Sequence, residues 1–359
     1  MNIEKLKKSA MFNLSLSSKE LFHSNFIDWL ISVNKEEMSK VFFNLLGENI
    51  KISKCNREKN NFDLYIDCED KTQIIIENKF KSIITENQLK KYNDKLKNNK
   101  SAKKVLLSLN SSDHEKNLVK KHGWIVINYN ELCNELLKLN INNEYHQTLI
   151  QDYCSFINEI SNYFSNREFL KNTVSDMHAE YKRLSEIRLH DIYQKILFNY
   201  VLRDLTQKLN EDKLDFIQGF DFSKKISLWQ DFWRGTGLVS LNYTLNKESG
   251  EDDIFRLELQ LQYDALKLML IHKNPRDKLS EEFKENYFKI IENLSNSKYC
   301  RKQGQIYPKS RKKEYKKYGE KLIYKNIILD KDLDFTEITE LFYNTFKKMI
   351  DFGEKIKQS

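Results

Sequence analysis

The chain is poor in the residues that punctuate or cross-link a fold. It holds 2 prolines and 9 glycines in 359 residues. A glycine-rich phosphate cradle of the G-x-x-x-x-G-K-[ST] type does not occur in it, which excludes an ATP motor built on that loop. Its 5 cysteines, Cys55, Cys68, Cys133, Cys154 and Cys300, are scattered without a C-x-x-C pair. That spacing argues against a zinc site and a disulfide framework and fits a reducing compartment. Long apolar runs are missing as well. Residues 1–18 are basic and then mixed, unlike a signal peptide, and no later stretch reaches the length of a membrane span. A cytoplasmic setting is expected, and no internal repeat or low-complexity segment stands out.

Charge, by contrast, is abundant. With 40% hydrophobic and 31% charged residues the composition is that of a globular protein, and the length suffices for two cores. The net charge of +8 and pI near 8.9 are compatible with a polyanionic partner, because Lys and Arg neutralising phosphates drive most nucleic-acid affinity. Two regions are locally basic. One holds Lys90, Lys91, Lys95, Lys97, Lys100, Lys103 and Lys104. The other holds Arg301, Lys302, Lys309, Arg311, Lys312, Lys313, Lys316 and Lys317, interleaved with Tyr307, Tyr315 and Tyr318. Cations mixed with aromatics grip phosphates and stack on bases, whereas most charge runs are solvated faces. Lys90, Lys91, Arg311, Lys312, Lys313 and Tyr315 are the candidate nucleic-acid contacts.

One stretch organises the rest. Gln73-Ile74-Ile75-Ile76-Glu77-Asn78-Lys79-Phe80 is an apolar β-branched strand that ends on a carboxylate and an ammonium. Alternation puts Glu77 and Lys79 on the face of Ile75, with Ile74, Ile76, Asn78 and Phe80 on the other. A buried carboxylate needs compensation, from a paired ion or a bound metal, and Lys79 alone is one such partner. Upstream, residues 61–67 read as a second strand, with Phe62, Leu64 and Ile66 on one face and Asp63, Tyr65 and Asp67 on the other. Asp70-Lys71 makes the hairpin turn between them. An antiparallel hairpin puts Asp63 on the face of Glu77 and Lys79. Two hard oxygen ligands with room for water suit Mg²⁺.

These residues resemble the PD-(D/E)XK nuclease superfamily. The matching positions are Asp63, then Glu77-Asn78-Lys79 on the next strand. On a following helix, Glu86-Asn87-Gln88-Leu89-Lys90-Lys91-Tyr92 fits the family's Q-x-x-x-Y pattern through Gln88 and Tyr92. Glu20-Leu21-Phe22-His23-Ser24-Asn25-Phe26 and Arg57-Glu58-Lys59-Asn60-Asn61-Phe62-Asp63 look like the helix and strand that open such cores, with Phe62 where Pro is usual. The likeness covers about the first 140 residues, the size of one domain. It implies an α/β fold with an αβββαβ restriction-endonuclease-like core and flanking helices. It further implies Mg²⁺, with Mn²⁺ able to substitute, held by Asp63, Glu77 and the backbone carbonyl of Asn78. Lys79 is then the residue that positions or activates water, and Gln88 and Tyr92 are further site residues. In the family a Glu on the first helix often completes the metal site, which points to Glu20. Ser17 and Glu20 also match a capping box, and both readings of Glu20 stand.

The remaining pattern supports that plan. A helix is predicted after Ser17, with Leu21, Phe22, Phe26, Trp29 and Leu30 as its apolar stripe; further helices are predicted at 38–46, 86–96, 113–122, 131–139 and 145–164, and strands at 50–55, 104–109 and 124–127. A domain boundary falls near residue 165, giving a nuclease-like domain over 1–165 and an α+β C-terminal domain over 166–359. Residues 169–209 read as one long helical region, since no proline precedes Pro275. Strands follow at 226–233, 238–245, 254–263, 266–272 and 321–329, with helices at 280–294 and 335–352. The lone histidines His23 and His190 read as structural.

The expected activity is metal-dependent hydrolysis of phosphodiester bonds. Its expected form is a DNA endonuclease defending against foreign DNA such as phage, with duplex DNA as partner and a homodimer or an activating partner protein as compatible assemblies. Two competing readings are a catalytically silent nucleic-acid-binding or assembly module on the same fold and an RNA-cleaving effector. The intact Asp63, Glu77 and Lys79 set argues against the silent module.

Overall fold

A computed structural model describes residues 1–16, 19–80, 84, 86–97, 99, 101–109, 111, 113–165, 168–219, 224–233, 236–246, 254–272, 281–294, 297–301, 316–318 and 322–358. The chain divides into two compact units, Met1–Arg167 and Glu168–Ser359.

The first unit opens with helices α1 (Ile3–Lys8), α2 (Ala10–Ser15), α3 (Lys19–Val33) and α4 (Lys35–Leu46). Gly47, at φ +71°, stops α4 in the left-handed conformation that glycine adopts freely. Then come β1 (Ile52–Arg57), β2 (Leu64–Cys68), β3 (Gln73–Lys79), α5 (Glu86–Lys95), β4 (Lys103–Ser108), α6 (Asp113–Lys121), β5 (Ile125–Asn128), α7 (Tyr129–Leu136) and α8 (Glu144–Ser165). The five strands form one sheet in the order β1-β2-β3-β4-β5. β1, β2 and β3 pair antiparallel, and β3, β4 and β5 pair parallel. This is the αβββαβ plan. The β2–β3 hairpin closes at Asp70-Lys71: Lys71 is left-handed, at φ +69°, and the Asp70 carboxylate accepts from both the N–H and the hydroxyl of Thr72 at 2.9 Å.

One face of the sheet packs Tyr65, Ile75 and Leu106 against Leu89 of α5, Val119 of α6 and Trp124. Phe62 joins this cluster rather than the Leu64–Ile66 face. The alternation expected for 61–67 fails there because the strand begins only at Leu64: Lys59–Asn61 forms a 3₁₀ turn, and Phe62 caps it.

In the second unit the helical region expected over 169–209 is broken. A 3₁₀ turn at Phe169–Lys171 precedes α9 (Val174–Ser185), whose Thr173 and Asp176 form a capping box. α9 ends where Arg188 turns left-handed, at φ +55°, and the Leu189 N–H returns to the Leu184 carbonyl at 3.0 Å. That closure needs neither proline nor glycine, so no residue signals it. α10 (His190–Glu211), β6 (Phe216–Gln218), β7 (Ile226–Trp233), β8 (Thr236–Asn246), β9 (Ile254–Gln262), β10 (Ala265–His272), α11 (Glu281–Glu292), β11 (Lys316–Tyr318), β12 (Leu322–Ile328) and α12 (Phe335–Gln358) follow. The sheet runs β11-β12-β10-β9-β8-β7-β6, antiparallel except for β6 against β7. β6 and β11 are three-residue edge strands, too short to carry a period. Gly237 lets α10 lie close on β8, since a Cβ there would meet the Phe198 ring at 2.6 Å.

Candidate active site

The sheet brings the charged end of β3 to an edge where its neighbours have stopped. β2 pairs with β3 from Asp67–Gln73 up to Leu64–Ile76 and no further, whereas β4 accompanies β3 to Lys79–Ser108. Glu77, Asn78 and Lys79 therefore project past the hairpin. Asp63, in the turn before β2, reaches into the gap: its Oδ2 accepts the Asn78 backbone N–H at 2.6 Å. The Lys79 carbonyl accepts from the Leu109 N–H, towards β4. Backbone groups alternate along a strand, so the Asn78 carbonyl is directed to the Asp63 side.

Glu77 and Lys79 are 4% and 9% exposed, and their side chains are paired, Nζ to Oε1 at 2.8 Å. The same Oε1 accepts the Tyr92 hydroxyl of α5 at 2.8 Å. Helical spacing puts Gln88 one turn before Tyr92, half buried. Burial on its own pushes the Lys79 ammonium down, but the charges of Glu77, Glu20 and Asp63 outweigh it and hold the group above the usual lysine range. Burial followed by the Glu77 charge raises Asp63 to about 6, against the opposing pull of the Asn78 N–H and Lys79. Burial and the Glu77 charge push the Tyr92 phenol upwards too.

The charge of Glu20 acts on Asp63, Lys79 and Tyr92 alike, so its carboxylate lies within electrostatic range of the site. Ser17, the other half of the expected capping box, lies outside the described residues. The Glu20 main chain is tied down from the opposite face of β3. The fully buried Asn78 amide donates to the Glu20 carbonyl at 2.7 Å and to Ser24 Oγ at 3.3 Å, and accepts the hydroxyl of buried Tyr129. His23 stacks on Phe80 with ring centroids 4.0 Å apart and shares a 3.0 Å hydrogen bond with Tyr153. Burial lowers its pKa to about 3, so it is a neutral core residue. The Asn78 clamp had no signature in the sequence, because Tyr129 is 51 residues away. Tyr129→Phe deletes one buried hydrogen bond and should lower stability by about 1–2 kcal/mol, read as a fall in the denaturant midpoint. An unchanged midpoint would mean that the clamp carries no load.

Among the described residues no three side chains of His, Cys, Asp and Glu gather as a ready-made ligand set. The site offers two carboxylates, Asp63 and Glu77, the Asn78 carbonyl, and the charge of Glu20 nearby. All are hard oxygen donors. That donor set fits a divalent cation of the Mg²⁺ or Mn²⁺ kind.

Of the candidate nucleic-acid contacts, Lys90 and Lys91 are exposed on α5, and Lys90 is paired with Glu86 at 3.2 Å. Arg311, Lys312, Lys313 and Tyr315 lie outside the described residues. No helix among the described residues is long and apolar enough to cross a membrane.

Comparison with curated proteins and with solved structures returned no match. The family model of the PD-(D/E)XK nuclease superfamily does match, over residues 10–155. Nucleases of that family act on nucleic acid and generally use divalent metals. The match spans α2 through the first half of α8, including every strand of the first sheet and the Asp63, Glu77, Lys79 edge. Residues 10–155 of the first unit thus match the PD-(D/E)XK nuclease superfamily.

Proposed function

We propose that the protein is a Mg²⁺-dependent endonuclease that cuts duplex DNA, with Mn²⁺ able to replace Mg²⁺, and that it serves in cytoplasmic defence against foreign DNA such as phage. The observation that carries this reading is the meeting of Asp63, Glu77, Lys79 and Tyr92 at one sheet edge. A divalent cation held by Asp63, Glu77 and the Asn78 carbonyl supplies Lewis acidity and a more acidic water. The protein's own groups do the rest. Lys79 is held as an ammonium by the carboxylates around it. Its part is to donate hydrogen bonds, orient the attacking water and offset charge gathering on the phosphoryl oxygens, not to abstract a proton. Tyr92 fixes the rotamer of Glu77 from α5, so the carboxylate keeps its aim. Glu20, anchored through its main chain by Asn78, is the third acid of the site.

Cutting both strands of a duplex takes two such centres, and a homodimer is the proposed working form. The test is incubation of purified protein with supercoiled plasmid, linear duplex, single strands and RNA, each with Mg²⁺, Mn²⁺ or EDTA. Cleavage of duplex DNA with metal, lost in EDTA, is the expected result. Cutting of RNA alone identifies an RNA-cleaving effector. Inertness on every substrate indicates a silent module or the need for an activating partner. For the defence role, cells expressing the parent protein should restrict phage plating and cells expressing Glu77→Gln should not.

A further inference from the structure

The search for groups that the proposed chemistry leaves unused leads to the outer end of α5. Gln88, Tyr92 and Lys95 follow one another at i, i+4 and i+7 and so share a helix face. Tyr92 points its hydroxyl inward at Glu77. Lys95, one turn on, sets its ammonium 5.9 Å from the Tyr92 ring centroid and 5.8 Å from that of Phe62, the residue directly before Asp63. Those two rings lie 5.3 Å apart and form a continuous apolar wall between the ammonium and the carboxylates.

Two features together mark this lysine. Lys90 is paired with Glu86, Lys97 with Asp94 and Lys103 with Glu48. No carboxylate among the described residues stands within ion-pair distance of Lys95, which instead donates to the Asn60 carbonyl at 3.0 Å. Its charge is exposed and held in place. The loop it holds is the other feature. Glu58, Asn60 and Asn61 all have left-handed backbone, at φ +54°, +60° and +61°, in the segment that delivers Asp63. Asn visits that region readily, whereas Glu58 adopts it only where its surroundings hold it. Lys95 is one of the restraints.

We propose that Lys95 is a substrate-binding residue: it takes the nucleic-acid phosphate beside the one being cut, and its bond to Asn60 ties that grip to the loop carrying Asp63. The inference rests on the nuclease reading above and names a backbone contact within it. A phosphate is the chemistry an exposed, fixed ammonium selects.

Its test is fluorescence anisotropy of a labelled DNA duplex and of the matching single strand, titrated with full-length protein in EDTA over a series of salt concentrations. Lys95→Ala and Lys95→Gln, the second able to keep the bond to Asn60 without the charge, should each lower the slope of log K against log salt by about 0.7–0.9 and weaken low-salt binding roughly 5- to 10-fold. Lys95→Arg should restore both, and Lys97→Ala should match the parent. In the cleavage assay the loss in Lys95→Gln should fall on KM and leave kcat alone, whereas Lys95→Ala, which also frees the Asp63 loop, should lose on both. A parent-like salt slope in both neutral variants, or a fall in kcat at constant KM in Lys95→Gln, overturns the proposal. Because binding is read without cleavage, the two readings separate: a changed slope in a protein that cuts nothing leaves Lys95 standing and removes the nuclease.

Discussion

Glu77→Gln protein should cleave nucleic acid about 10³-fold more slowly than the parent while melting within a few degrees of it, the rate loss corresponding to about 4 kcal/mol in the transition state. The isostere is chosen for a structural reason. Glu77 and Lys79 form a buried pair, and truncating one partner of such a pair leaves the other uncompensated at a cost of about 3–5 kcal/mol. Alanine at either position would confound lost activity with lost structure, whereas glutamine still accepts from Tyr92 and Lys79, and the charges of Glu20 and Asp63 remain to compensate the ammonium. Single-turnover cleavage and thermal melts on the same preparations decide it. Parent-like cutting by Glu77→Gln would remove this residue from the mechanism.

Asp63→Asn should abolish cleavage and, in metal-free buffer at neutral pH, make the protein more stable. The sign follows from the raised pKa. Burial and the Glu77 charge raise native Asp63 to about 6 from the ordinary carboxylate value of 3.8, so the folded state holds this proton more tightly than the unfolded state does. Its contribution to stability is fully present below the ordinary value and is lost as pH rises through about 6. At neutral pH the parent therefore carries a penalty, which Asn removes while still accepting the Asn78 N–H. Discounted for partial solvent contact, the gain is on the order of 1–2 kcal/mol, or roughly 2–8 °C for a domain of this size. Metal reverses the order: Mg²⁺ binding the native state alone should raise the melting point of the parent and leave Asp63→Asn unmoved. Melting curves of both proteins from acid to neutral pH, with and without Mg²⁺, check this. A variant less stable than the parent in metal-free neutral buffer would contradict it.

Much of this site could be read from the chain because period and charge coincide there. Glu77 and Lys79 interrupt an otherwise apolar strand, and the hairpin through Asp70-Lys71 sets their register against Asp63. The second sheet was equally legible where strands were long, as in β7 to β10. What could not be read rests on contacts distant in sequence or on backbone conformations without a residue signature. Tyr129 bonding Asn78, the left-handed Arg188 that ends α9, and Phe62 turning to the α5 side all belong to this group. Each is decided by tertiary packing, which overrides local preference. Tyr92 falls between the two: its spacing from Gln88 was visible, but its hydrogen bond to the Glu77 carboxylate emerges only once α5 lies on the sheet.

The central claim is spatial, and crystals grown with Mn²⁺ test it most directly through the anomalous signal of the ion. The account predicts a peak bonded to Asp63, Glu77 and the Asn78 carbonyl, with Lys79 Nζ facing the ion's water shell. A peak placed elsewhere, or none while Lys79 still occupies Glu77, would contradict it.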